Sequence, residues 1–118
     1  MIEEILISYL IGKTSAGSYV FAERPNDIPE LYLLIEKTGS SVSDMITTST
    51  IAIQSIADSM QGGSMYEAMD LNEDVKEAMN ELEEHPDVVM VRLNTDYNYT
   101  DDSTKEYRYQ AVYSITHY

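Results

Sequence analysis

The spacing of apolar and polar positions changes along this 118-residue chain, and each change marks a predicted element. Over residues 2–12 the apolar side chains recur every three or four positions, as in Ile2, Leu6 and Leu10. This spacing predicts an amphipathic helix, with Glu3 and Glu4 in the first turn, where the helix dipole favours acids.

Residues 18–57 have the chemistry of strands. Residues 18–23 alternate and predict a short strand, the apolar run at 31–37 predicts a strand covered on both faces, and 38–41 has the composition of a turn. Residues 44–57 begin with hydroxyls and end with buried-type side chains. This gradient predicts a hairpin whose base lies in the core and whose Ser/Thr-rich tip projects. The tip is equally compatible with a contact surface and with a simply solvated hairpin.

Residues 64–84 predict a second amphipathic helix. Ser64 and Glu67 have the spacing of a capping box, Asn72 could restart the helix after a kink near residue 71, and Pro86 ends it. The outer face of this helix is dense in carboxylates, with Lys76 as its single base.

The chain ends with two predicted strands, 87–93 and 105–118, joined by a polar loop at 94–104. Val89, Val91 and Leu93 are expected on one side of the first. In the second, Tyr107 to Ile115 alternate between two faces, with Tyr109 and Tyr113 expected in the core. A strand this long cannot remain a bare edge, so we expect neighbours on its flanks.

The order of elements predicts a single α+β domain over residues 1–118. We expect a mainly antiparallel sheet of about four to five strands, two amphipathic helices packed on one face and a projecting Ser/Thr-rich β-hairpin. Several strands carry apolar residues on both faces, which favours burial of the second face by another subunit.

The charge balance limits the classes of partner. The chain has 21 acids against 7 bases, a formal charge of −14. Such a surface repels DNA and anionic lipid, so neither sequence-specific nucleic-acid binding nor membrane binding is expected. Solubility is the commonest reason for an acidic surface, and a surface that DNA must pass without binding is the more specific one. The acidic N-terminus, the lack of cysteine and the absence of a long apolar run predict a soluble intracellular protein.

No motif predicts catalysis, a cofactor or a metal. A nucleophilic triad would need Ser with His85 or His117, and neither histidine lies in a nucleophile motif. The run from Asp96 to Tyr107 resembles a calcium loop, but Asp101 replaces its required glycine and Tyr107 its required glutamate. The chain is therefore predicted to be non-enzymatic.

Four segments together resemble a known family. They are residues 34–39 (LIEKTG), residues 51–57 (IAIQSIA), the Ala/Met-rich helix and the closing residues 105–118 (KEYRYQAVYSITHY). In order and pattern they are similar to the tail terminator proteins of long-tailed bacteriophages, also called tail completion or minor capsid proteins. The similarity runs over nearly the whole chain. Ser40 and Ile56 depart from the family pattern at a turn and a core position.

The resemblance implies a non-enzymatic α+β subunit that forms a ring, expected to be a hexamer, on the end of the phage tail tube. Such a ring ends tube growth and offers a docking surface to the head connector or stopper protein. The expected location is the head–tail junction of the virion, and the host cytoplasm during assembly.

Two residue sets are candidates for these contacts. The candidate subunit or partner interface is Thr38, Ser40, Ser41, Asp44, Thr47, Thr48, Tyr97, Tyr99, Asp101, Asp102, Arg108 and Gln110. The candidate acidic face towards the lumen is Glu67, Asp70, Glu73, Asp74, Glu77, Glu81 and Glu84.

A different class of function uses the same acidic helix. A small inhibitor that imitates DNA and blocks a nucleic-acid enzyme would also carry a dense row of carboxylates. Such a protein would be a monomer or dimer and would bind a basic enzyme in a salt-sensitive way, whereas a terminator would form a ring.

Overall fold

A computed structural model describes all residues from Met1 to Tyr118 and confirms the predicted α+β architecture. Two short 3₁₀ turns, Ser59–Gln61 and Leu82–Glu84, complete the regular structure. The helices and strands in chain order are α1 (Ile2–Leu10), β1 (Val20–Phe21), β2 (Leu31–Ser43), β3 (Ile46–Asp58), α2 (Met65–Met79), β4 (Val88–Asn98) and β5 (Glu106–His117).

The strands form one five-stranded sheet in the order β1-β2-β3-β5-β4. All neighbours are antiparallel except β1, which pairs in parallel with β2 through Val20 and Phe21. The closing strand β5 lies between β3 and β4, so its predicted need for flanking partners is confirmed. The sheet edges are β1 with the free part of β2 on one side and β4 on the other.

Both helices pack on one side of the sheet, called here the helix face, and the core lies between them. Ile53, Ala111 and Tyr113 point from the sheet into this core, where they meet Leu6 of α1 and Leu71 of α2. Burial raises the pKa of Tyr113 to about 12. The alternation predicted for β5 is confirmed, because Ala111, Tyr113 and Ile115 are buried while its even-numbered residues face the other side, the open face. Tyr109, which was also expected in the core, is only half-buried.

The hairpin is confirmed, but its turn is not where the sequence predicted it. Residues 38–41 continue β2, and Gly39 marks only a shift of register after Lys37. The turn is formed by Asp44 and Met45, with φ of 50° and 70°. Both central residues therefore have the positive φ that the right-handed twist of a two-residue hairpin requires.

Strand β4 is longer and less regular than predicted. It continues from Leu93 to Asn98, so the predicted loop 94–104 begins as strand. Register shifts lie between Val88 and Met90 and between Leu93 and Thr95. The first shift makes the prediction for Val89 wrong, because the extra residue leaves Val88 buried and Val89 exposed.

The helix ends also differ from the predicted ones. Helix α1 stops at Leu10 and α2 at Met79, five residues before the predicted Glu84, and the 3₁₀ turn that follows still buries Leu82. No kink occurs at Asn72, whose amide instead donates to Asp96 Oδ2 at 2.9 Å. Ser64 caps α2 by accepting the Glu67 N–H at 3.2 Å. Neither helix is long and apolar enough to cross a membrane.

Candidate interaction surfaces

The first predicted contact surface is the hairpin arm, defined as residues 36–49 of β2, the turn and β3. On its β2 strand every residue from Glu36 to Ser43 is exposed, including Thr38, Ser40 and Ser41. Thr47 and Thr48 on β3 are half-buried, since β5 flanks them and Thr116 Oγ1 lies 3.3 Å from Thr48 Oγ1. The arm therefore offers its free surface along β2 and at the tip.

The tip of the arm is more apolar than the Ser/Thr-rich tip that the sequence predicted. The side chains of Val42 and Met45 are 72% and 89% exposed, and Asp44 stands beside them in the turn. Exposed apolar side chains at the end of a projecting element are typical of a surface that another protein covers.

The second surface is the loop end, defined as residues 97–102 at the end of β4 and the turn into β5. Tyr97 and Tyr99 are exposed and stack edge-to-face, with ring centroids 6.0 Å apart. Asp101 accepts hydrogen bonds from the Ser103 backbone N–H at 3.0 Å and the Ser103 hydroxyl at 2.8 Å. Asp102 is exposed. The loop end is thus an ordered turn with a tyrosine pair on its side.

These surfaces lie at opposite ends of the sheet, so the predicted interface residues do not form one patch. The tip follows the pairing of Thr47 with His117, whereas Asp101 bridges to Glu106 at the other end of β5. Gln110 lies between the two ends on the open face and donates to the Tyr97 hydroxyl at 2.6 Å. The molecule measures 46 × 25 × 24 Å, and we infer that its two ends are separated along the longest dimension.

The predicted acidic face is brought together on one side of the molecule. We call it the acidic ridge: Glu67, Asp70, Glu73, Asp74, Glu77, Glu81 and Glu84 of α2 and the following turn. Only Glu73 has an ion pair, to Lys76 at 2.9 Å, and Asp74 accepts the Ser15 backbone N–H at 3.1 Å. Glu67 Oε1 accepts the Ser64 hydroxyl at 3.4 Å, and the remaining ridge carboxylates are exposed.

Crowding on the ridge is visible in the pKa values of its neighbours. A side-chain hydrogen bond that protonated Glu30 donates to Glu67, together with the charge of Glu67, raises the pKa of Glu30. Burial raises the pKa of Tyr9, and the charges of Glu81 and Glu84 raise it further. The ridge therefore acts as a concentrated negative field whose charges are neutralised only locally.

A buried ionic cluster on the open face was not foreseen from the sequence. Glu106 is 1% exposed and accepts hydrogen bonds from the Tyr32 hydroxyl at 2.6 Å, from Arg24 at 2.6 Å and from Arg108 at 2.7 Å. Arg108, predicted to be an interface residue, is thus largely occupied inside the subunit. We call Arg24, Tyr32, Glu106 and Arg108 the latch, because it ties the segment after β1 to the start of β5.

The structure does bring one serine and one histidine together. Ser49 Oγ lies 2.8 Å from His117 Nε2, but Ser49 is 1% exposed and the other ring nitrogen lies 3.2 Å from the Tyr118 carbonyl oxygen. A buried hydroxyl with no route to a substrate and no carboxylate behind the imidazole is a structural contact. No group of three or more His, Asp or Glu side chains is placed to hold a metal ion.

The chain matches no protein-family model and no curated protein in sequence comparisons.

Proposed function

We propose that this chain is a virion assembly protein that forms a ring on the end of a phage tail tube, stops tube growth and presents the surface to which the head docks. The observation that carries the proposal is the separation of charge between the two faces. The helix face holds the acidic ridge, whereas the open face carries few charges, of both signs. They include Glu36, Arg92 and the charged residues of the latch, and they lie among uncharged side chains such as Thr48, Val112 and Thr116.

A ring of such subunits has a use for each surface. The acidic ridge, turned towards the lumen, gives a passing duplex no ion pairs that could hold it. The hairpin tip and the loop end, at opposite ends of the sheet, would then lie on opposite rims of the ring. One rim can meet the tail tube and the other the head connector or stopper.

The first experiment tests the tube-capping step. The tail-tube protein from the same genome is polymerised with and without this chain, and tube lengths are measured by electron microscopy. We expect tubes formed in its presence to be shorter and to carry a ring at one end. Tubes of unchanged length with bare ends would contradict the proposal.

A second experiment tests the orientation of the ridge. Reversal of Asp70, Glu77 and Glu81 to Lys should slow DNA ejection from assembled virions, because lysines in the lumen pair with phosphates. The matched control reverses Glu4, Glu23 and Asp27, which are exposed and lie off the ridge. Equal ejection rates for the ridge variant, the control and the wild type would show that the ridge does not line the lumen.

The acidic ridge, most of whose carboxylates have no ion pair, also supports the second candidate, a DNA-mimicking inhibitor. That function requires a stable monomer or dimer that binds a basic nucleic-acid enzyme, with affinity falling as salt rises. Light scattering on the purified protein, followed by negative-stain imaging, separates the two candidates, because only the terminator forms closed rings.

A further inference from the structure

The sheet has two long free edges on its opposite sides. On one side β1 covers β2 only beside Leu33 and Leu34, which leaves residues 36–43 unpaired along their outer side. On the other side no strand pairs with the outer side of β4, residues 88–98. Long uncovered edges are templates for pairing with another chain, and natural proteins normally protect them.

We propose that these two edges pair with each other between neighbouring copies of this chain, so that β4 of one copy and β2 of the next form an antiparallel ladder. The inference rests on the proposed ring and identifies its subunit contact. It commits to a second copy as the occupant of each edge, and three features of the edges carry it: direction, length and charge.

The two free edges match in direction and in length without any change in the fold. Strands β2 and β4 run in opposite directions, because three antiparallel pairings separate them. A second copy placed alongside in the same orientation therefore offers β2 antiparallel to β4. Residues 36–43 and 90–98 are free stretches of closely similar length. Contacts between unlike edges join copies head to tail, which closes into a ring when the rotation allows.

The position of β1 fixes the register. At equal height along the strands, β1 of the second copy would collide with the end of β4, because Leu34 lies level with Tyr97 through Gln54 and Gln110. A slip of two residues brings Asn98 level with Ile35, just beyond β1, and places Val42 opposite Val91, Gly39 opposite Thr95 and Lys37 opposite Asp96. The chain from Tyr99 onwards, where the Tyr99 N–H still donates to the Arg108 carbonyl oxygen, must then turn away from β1 of the second copy. Stagger of this kind is what closure of tilted strands into a barrel requires.

The outward-pointing backbone N–H groups of the two edges also favour a slip by an even number of residues. The Leu33 N–H points outward from β2 to the Tyr19 carbonyl, and the Val91 N–H points outward from β4 to Glu83 Oε1 at 2.8 Å. Counted in residue pairs across the sheet, Leu33 and Val91 lie an even number of pairs apart. A slip of two residues therefore places the outward-pointing N–H groups of the two edges opposite each other. In the free subunit the Glu83 carboxylate accepts this outward N–H of β4, so its side chain must move away when the partner strand pairs there.

Charge and apolar contacts are complementary on the helix face of the proposed pairing. Along the free stretches the only charged residues are Glu36 and Lys37 on β2 and Arg92 and Asp96 on β4. On the helix face Lys37 meets Asp96, which within its own subunit already pairs with Lys76 at 3.0 Å. On the open face Glu36 lies opposite Tyr97 and Arg92 opposite Ser41, so no like charges face each other. The exposed Val42 falls beside Val91 at a groove of about 560 Å³ between β4 and α2.

Cysteine pairing tests the contact directly, because the chain has no cysteine of its own. We expect the double variant Gly39→Cys with Thr95→Cys to form a disulfide-linked ladder of copies under mild oxidation at millimolar protein. Within one subunit the two positions are three strand spacings apart, roughly 14 Å, so an internal disulfide is impossible. A cysteine at Gly39 meets no atom within 4 Å.

Two controls define the result. The pair Ser40→Cys with Thr95→Cys places the thiols on opposite faces and should give no ladder. Thr95→Cys alone should give no dimer, because two β4 edges do not meet in a head-to-tail contact. No crosslinking above the Ser40 control would overturn the inference, and efficient dimers from Thr95→Cys alone would replace it with a two-fold β4–β4 contact.

A charge variant gives an independent measurement. Lys37→Glu sets a carboxylate against Asp96 and should weaken self-association roughly tenfold or more, whereas the same change at the exposed Lys105 should have little effect. Equal effects of the two changes would count against the contact. Rings that cap tubes without crosslinking would overturn this contact and leave the function standing. Crosslinked rings that do not stop tube growth would do the reverse.

Discussion

Glu106 shows how one buried side chain can tie distant parts of the chain together. Burial alone would raise the pKa of this carboxyl, but hydrogen bonds from Tyr32, Arg24 and Arg108 outweigh burial and lower the pKa below its ordinary 4.5. Because the folded-state pKa is the lower one, this group stabilises the fold above about pH 4.5. The contribution is lost as the pH falls through the folded-state pKa.

Replacing Glu106 with Gln should lower the free energy of unfolding at pH 7 by about 3 kcal/mol, because it removes the charge that the latch arginines share. The deficit should shrink at a second, acidic pH below the lowered pKa of Glu106, where the wild-type carboxyl also becomes neutral. Urea unfolding at the two pH values measures both effects. Glu36→Gln, an exposed carboxyl on the same face, is the control, and an equally small loss in both variants would contradict the role of the latch.

The latch is also an example of side-chain contacts that the sequence could not predict. Alternation in β5 correctly places Ala111, Tyr113 and Ile115 in the core, because a single strand fixes which side chains share a face. No such periodicity governs the segment after β1 that carries Arg24. Its approach to Glu106 depends on a path of the chain that only the folded sheet defines.

At the scale of elements, the hairpin turn carries an unfavourable residue. Met45 has φ of 70°, a conformation that favours glycine or asparagine, and its side chain is nevertheless 89% exposed. A methionine there costs stability and buries nothing within the subunit. We interpret it as a contact residue that a partner would cover at the rim of the proposed ring.

Met45→Gly should therefore separate stability from function. We expect the free energy of unfolding to rise by about 1 kcal/mol, because glycine relieves the strain, while capping of the tail tube or docking of the head weakens. Thermal unfolding and pull-down with each partner measure the two effects. Met60→Ala removes another exposed methionine away from the tip and should leave docking unchanged. Full partner binding by Met45→Gly would show that the tip is not a contact.

The existence and type of the helices and strands were predicted better than the residues at which they begin and end. The hairpin, both helices and the last two strands follow from the spacing of apolar residues, which reports burial. The turn at Asp44, the bulges in β4 and the early end of α2 depend on backbone geometry that apolar spacing does not record. The two free edges of the proposed subunit contact became visible only with the strand order.

At the scale of the whole molecule, a charge of −14 on every subunit opposes assembly. In a ring the ridges of neighbouring copies come closer together, so their repulsion grows with each subunit added. The single ion pair across the proposed contact, between Lys37 and Asp96, is outnumbered by these like charges. Added salt screens both the repulsion between ridges and the attraction across the contact. We expect the relief of repulsion to favour assembly more than the weaker attraction opposes it.

Self-association should increase as the ionic strength rises from roughly 0.05 M to 0.5 M, because the Debye length becomes shorter than the spacing of the ridges. Sedimentation velocity across this range measures the assembled fraction. The variant with Asp70, Glu77 and Glu81 reversed to Lys should assemble at low salt and respond less to added salt. Dissociation of the wild-type ring by salt would instead show that attraction across the contact dominates.

The 46 Å length of the subunit has a consequence for a duplex moving through such a ring. If the strands are tilted by about 40° from the ring axis, as in a closed barrel, this length projects to about 35 Å, close to one helical repeat of B-DNA, about 34–36 Å. Every rotational setting of the duplex then presents almost the same number of phosphates to the wall. The passage would have no preferred angular position at which the genome could pause, so DNA could advance by screw motion or by straight translation with equal ease.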